Sequence, residues 1–157
     1  MRYLAVLLVI ATWGSSVTWG AEPDSKADHS AAEKKFIDLL SGSTLVGNYT
    51  LVTPKGISTQ KEDKYTIESV KKYNDHIFTI TTRIQYDGHD VSLPLAVPVA
   101  FVGDTAMIDL DKFPVPGLGT FSAKVLFDGD KYAGTWDAGD HGGHLFGRIE
   151  KAKSASK

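Results

Sequence analysis

The ten residues Ile77-Phe78-Thr79-Ile80-Thr81-Thr82-Arg83-Ile84-Gln85-Tyr86 decide the fold. Phe78, Ile80, Ile84 and Tyr86 share one side of an extended chain, while Thr79, Thr81, Arg83 and Gln85 share the other. Successive side chains of a strand point to opposite faces, so this pattern predicts a β-strand with one buried and one wet face. That is the signature of an antiparallel sheet that is curled on itself or packed on a second sheet. The next two residues are Asp87-Gly88, a tight-hairpin dipeptide, because such turns require positive φ and glycine adopts it freely.

The same grammar extends in both directions. Strands are predicted over residues 45–52, 63–72, 77–86, 90–95, 97–102, 106–110, 120–127, 131–137 and 144–150, separated by Gly-, Pro-, Asn- and Asp-rich turns. Phe121, Ala123, Val125 and Phe127 form one apolar stripe, and Tyr132, Gly134 and Trp136 another. Many short strands joined by tight turns predict an all-β domain, a small antiparallel up-and-down barrel, with a β-sandwich as the alternative. Pro94 and Pro98 interrupt the apolar run 93–102, and proline cannot donate to a ladder. That run is therefore expected at a sheet edge or bulge, where it would serve as a lip over a cavity mouth or as an edge for a partner strand.

Ahead of the strands, Ser30 with Glu33 fits a helix capping box, Phe36, Leu39 and Leu40 share a helical face, and Gly42 ends the helix. Residues 21–29 read as a polar, flexible leader and 151–157 as a disordered basic tail, leaving a single barrel domain over 30–150. Residues 1–20 carry Arg2 followed by an apolar run from Leu4 to Trp13. This is the charge-then-core layout of a secretory signal, and the run is too short to span a bilayer. The expectation is an exported protein, periplasmic or extracellular, released without a membrane anchor. Loss of that segment removes one base and no acid, moving the net charge from −2 to −3.

Composition excludes several chemistries. The 157-residue chain has no cysteine, so disulfides, thiolate metal sites and cysteine nucleophiles are absent. Its near-neutral charge provides no basic footprint for nucleic acid. No Gly-x-Ser-x-Gly or phosphate-binding glycine loop is present. The densest group of candidate ligands is Asp137, Asp140, His141 and His144, on which a divalent-metal-dependent enzyme would be centred. Three glycines between Ala138 and His144 equally describe a polar hairpin loop with solvated histidines.

Gly47-Asn48-Tyr49 opening the first long strand, after a short helix, resembles the calycin plan of lipocalins and their relatives. There, Gly-x-Trp opens the first strand and an Arg from the last strand stacks over the Trp. The resemblance implies that Tyr49 and Arg148 form the corresponding pair at the barrel base. Over most of the chain, FIDLLSG (36–42), GDT (103–105), PGLGTF (116–121), YAGTW (132–136) and GGHLFG (142–147) resemble a family of small exported bacterial proteins of uncharacterised function.

The expected function is a monomeric, non-enzymatic binding protein, without cofactor, holding a small apolar or amphipathic ligand in the barrel. Tyr65, Ile67, Phe78, Ile80, Ile84, Tyr86, Val125 and Trp136 are the expected lining. The alternatives are the metal enzyme at the 137–144 turn and an envelope protein-interaction module using the 93–102 edge.

Overall fold

The structure, a computed structural model, describes residues 25–151 and gives side-chain surroundings from Ala31 onward. The expected signal segment (1–20), residues 21–24 of the expected leader and the residues beyond Lys151 lie outside the described residues.

Among the described residues, one helix, α1 (Ser25–Leu40), precedes ten strands: β1 (Ser43–Tyr49), β2 (Val52–Thr53), β3 (Gly56–Ile57), β4 (Lys61–Lys72), β5 (Ile77–Tyr86), β6 (His89–Val102), β7 (Thr105–Val115), β8 (Gly119–Asp128), β9 (Lys131–Asp137) and β10 (Gly142–Lys151). From β4 to β10 each long strand pairs antiparallel with the next, and β1 closes the circle between β10 and β4. With the two-residue strands β2 and β3 set aside as a small side hairpin, eight strands form a closed barrel. Closure, rather than the sandwich alternative, leaves the long strands no full-length exposed edge.

β5 and β9 fall where the alternation places them, and Asp87 and Gly88 both take positive φ, 42° and 84°, in the two-residue turn between β5 and β6. The segments 90–95 and 97–102 join into one strand, β6, which lies inside the barrel wall and not at a free edge. Its prolines are accommodated by geometry. The Val99 amide donates to His76 O at 2.8 Å, on the β5 side. Amides alternate along a strand, so odd positions of β6 face β5 and even positions face β7. Pro94 and Pro98 are both even. Pairing of β6 with β7 runs only from Val99↔Ile108 to Val102↔Thr105 and stops at Pro98, the next position that would have to donate. Beyond it, β7 carries a bulge between Leu110 and Phe113 and turns away with β8. The barrel wall therefore has a seam. Ile84, Leu93 and Val115 pack across it with Phe113, Leu118 and Phe121.

α1 starts at Ser25, so Ser30 lies inside the helix and does not cap it. Glu33 instead pairs with Lys72 of β4 at 2.9 Å. Good helix formers ahead of Ser30, Lys26 and Ala27, allow the extra turn. Phe36 enters the barrel end and meets Phe78, Phe101 and Phe127 edge-on, with centroids 5.4, 6.0 and 5.8 Å away. Leu40, 1% exposed, lies beside it. The exit from the helix is fixed by Ser43 Oγ donating to Leu40 O at 2.6 Å, and by the Val70 amide donating to Ser41 Oγ at 3.0 Å. Lys151, assigned to the tail by the sequence, completes β10 and donates to Ser41 O at 2.9 Å. One end of the barrel is plugged.

Candidate functional site

Above the helix plug lies a cavity of about 220 Å³. Its walls show why it is not filled. On β4 and β5 the inward residues Ile67, Ile80 and Ile84 are buried, at 4–8% exposure. On β7 and β8 the inward residues Ile108, Leu110, Phe121, Ala123 and Val125 stay half-buried although they point into the barrel. A close-packed interior would cover them. An eight-stranded barrel has room for its own side chains or for one small ligand. Here the small Ala123 and the seam beside β7 leave the space.

Of the eight residues expected to line it, Tyr65, Ile67, Ile80, Ile84, Tyr86, Val125 and Trp136 do so. Phe78 does not: it is fully buried against Phe36 beneath the cavity floor. The alternation identified its face, but its depth follows from where the helix enters. Other lining residues include Tyr49, Thr82, Leu95, Val97, Val115, Leu118, Phe121 and Tyr132. Thr82 shares the parity of Ile80 and Ile84, so its inward position was legible in the strand pattern.

The cavity mouth is edged by aromatic rings. His89 stacks on Tyr86 at 4.9 Å, Tyr86 meets Tyr49 at 6.2 Å, Tyr49 meets Trp136 at 5.9 Å, and Trp136 meets His141 at 5.4 Å. These residues sit at the ends of β1, β5 and β9, at the start of β6 and in the β9–β10 loop, all at the end opposite α1. Tyr49 thus belongs to the mouth. Its expected partner Arg148 faces outward and donates from Nε to Glu150 Oε1 at 2.7 Å. In register, Tyr49 sits opposite Leu145 and Arg148 opposite Val46, so the two are on opposite faces of the wall and the calycin-type pair does not form.

A buried polar cluster lies behind the lining. Asp63, 3% exposed, accepts hydrogen bonds from Tyr65 at 3.1 Å and from Tyr132 at 3.2 Å. Burial raises the Asp63 carboxyl above its ordinary value, while the two phenols lower it less strongly. Burial, reinforced by the adjacent carboxylate, pushes both tyrosine hydroxyls up, so they stay protonated donors. The sequence signal for this cluster is a charged residue at the same parity as Tyr65 and Ile67.

Two further polar atoms, Thr82 Oγ1 and Trp136 Nε1, are buried without a hydrogen-bond partner among the described residues. Among the described residues, no Lys, Arg, His, Asp or Glu side chain lines the cavity.

The metal candidates do not converge. Asp137 Oδ1 accepts from the Gly139 amide at 2.8 Å in a local turn, and Asp140 pairs with His141. His144 Nδ1 lies 3.2 Å from Thr50 Oγ1 on the outer side of β10. Among the described residues no three His, Asp or Glu side chains gather as a metal site. The period of two separates His144 from the loop residues, because its neighbours Gly143 and Leu145 take the inward positions.

Fold and site together define a closed antiparallel eight-stranded barrel with a plugged base and an apolar, aromatic-rimmed cavity. No protein-family model, no curated protein and no solved structure matches the chain.

Proposed function

We propose that this protein binds one small, mainly apolar molecule inside the barrel, as an exported carrier or sequestering protein and not as an enzyme. The observation that carries the reading is the set of inward, half-exposed apolar side chains on β7 and β8 around the cavity of about 220 Å³. Apolar surface left uncovered inside a fold gains free energy when a ligand covers it, at roughly 25 cal/mol per Å² before the costs of association. The cavity lies just below the usual size range of ligand pockets, about 300–1,000 Å³, and so suits a compact molecule or a single short chain.

A binding role agrees with the site's chemistry. The Asp63 carboxylate is engaged by two phenols of the lining, and among the described residues no serine, lysine or histidine lines the cavity. The helix-plugged barrel is also the architecture that the calycin likeness implies, though without its Tyr49–Arg148 pair. The secretory layout of residues 1–20 supports a role outside the cytoplasm. A role in strand addition at residues 93–102 is disfavoured, because Pro94 and Pro98 withhold donors on the side of β6 where the ladder to β7 is missing.

The test is native mass spectrometry of protein purified from its own host, with Trp136 fluorescence titrations of the delipidated protein. A co-purifying organic mass, or saturable Trp136 quenching by small apolar compounds, is expected. A ligand-free protein whose Trp136 signal responds to none of them overturns the reading.

A further inference from the structure

We infer that the cavity selects neutral ligands carrying a hydrogen-bonding oxygen and rejects carboxylate anions of the same chain length; this rests on the binding role proposed above. Among the described residues, none of those lining it is Lys, Arg, His, Asp or Glu. An anion bound there would be stripped of water with no cation to compensate, which is among the costliest burials in protein chemistry. It would also sit behind the same wall as Asp63, whose two oxygens are taken by Tyr65 and Tyr132, both lining residues. The cation beside the mouth, Lys61, lies against Tyr49 but is already paired with Asp87 at 3.2 Å.

The polar groups that lack partners point to an oxygen on the ligand. Thr82, 4% exposed, has an unpartnered hydroxyl in the middle of the β5 wall. Rotation between staggered χ1 wells re-aims that hydroxyl without moving the strand. Trp136 Nε1, at the mouth, is a donor only, and it too is without a partner. Buried polar groups are nearly always hydrogen-bonded in folded proteins, so two orphans in the walls of one apolar cavity fit a ligand that supplies the missing atoms. An alcohol, ketone or ester oxygen suits either residue as a partner, since Thr82 donates or accepts and Trp136 donates. Two apolar side chains in their place would have made a cavity for pure hydrocarbon.

The test uses three eight-carbon probes, octan-1-ol, octanoate and n-octane, titrated at pH 7 by calorimetry and protein NMR against the wild-type protein, Thr82→Val and Trp136→Phe. Octan-1-ol is expected to bind at least about tenfold tighter than octanoate and several-fold tighter than n-octane. Thr82→Val or Trp136→Phe should lower octan-1-ol affinity several-fold relative to n-octane affinity in the same variant. Thr82→Val is close to isosteric, and amide NMR spectra verify that each variant is folded. Octanoate binding as tightly as octan-1-ol overturns the proposed selectivity but leaves the binding role standing. An octan-1-ol to n-octane affinity ratio equal in wild type and both variants overturns the role of the oxygen. Failure of all three probes to bind overturns selectivity and binding role together.

Discussion

The Tyr132 hydroxyl donates to Asp63 Oδ1 at 3.2 Å although the two residues lie three strand positions apart around the barrel. The row runs Tyr132 on β9, Gly147 on β10, Gly47 on β1 and Asp63 on β4. Strand spacing of about 4.8 Å per step makes that a long reach, and it is made over two residues with no side chain. A Cβ on Gly47 would come within 2.3 Å of Tyr132 Oη and 2.2 Å of Phe146 O. A Cβ on Gly147 would meet Tyr132 Cε1 at 2.8 Å and Val46 O at 2.3 Å. The glycines are the floor on which the phenol lies.

Gly47→Ala should therefore destabilise the fold by about 3 kcal/mol, since backbone and ring cannot both give way. Tyr132→Phe removes one donor from a buried carboxylate and should cost about 1–2 kcal/mol. Urea denaturation of the two variants measures both, and a Gly47→Ala midpoint equal to wild type would remove the packing argument.

Asp63 also gives stability a pH dependence of unusual sign. Its folded-state pKa is raised, so the folded state holds the proton more firmly than the unfolded chain. Its contribution is complete below the ordinary carboxyl value and declines as pH rises through the folded value. Surface carboxylates such as Asp90, held down by Arg83, contribute in the opposite direction and lose their contribution as pH falls. Asp63→Asn should flatten the Asp63 component, so its stability relative to wild type should increase as pH rises from about 4 to 7. Urea midpoints at both pH values test this; a constant difference contradicts it.

The seam makes a prediction at single amides. The even-numbered amides of Asp90, Ser92 and Ala96 face β7, where β6 has no ladder partner, whereas Val91, Leu93, Leu95 and Val97 face β5. Hydrogen exchange by NMR should find the first group fast and the second protected, alternating along one strand. Uniform protection through residues 90–97 would mean that the wall is closed there.

Phe36 plugs the barrel with a ring that touches three others. Phe36→Ala should cost about 3–5 kcal/mol, the range for deleting a buried aromatic, and should open the cavity floor. Thermal unfolding reads the first effect, and stronger binding of a longer alcohol than octan-1-ol reads the second.

The 137–144 loop should not respond to divalent metal. Zinc addition is expected to leave the melting temperature unchanged, and His141→Ala with His144→Ala should fold as wild type, because the two imidazoles have separate partners in Trp136 and Thr50. A zinc-dependent rise in melting temperature that both substitutions abolish would restore the metal reading.

The features legible in the chain alone are local and periodic. Alternation in residues 77–86 and 131–137 assigned inward and outward faces, Asp87-Gly88 located a hairpin, Gly42 ended the helix, and many short strands joined by tight turns pointed to a barrel or a sandwich. These follow from geometry within a few residues, where the chain's own sterics decide. The sequence also placed seven of the eight expected lining residues, because parity is a property of the strand alone. Depth and partnership were decided only in three dimensions. Whether Phe78 is floor or lining depends on where Phe36 enters, and whether Tyr49 meets Arg148 depends on the β1–β10 register. Pro94 and Pro98 announced a missing ladder, but only the alternation of β6 amides against two neighbouring strands showed that both face one seam. The Asp63–Tyr132 bond is the clearest case. Two residues 69 positions apart in the chain meet because two glycines, one on each intervening strand, fall into register between them, and barrel closure alone sets that register.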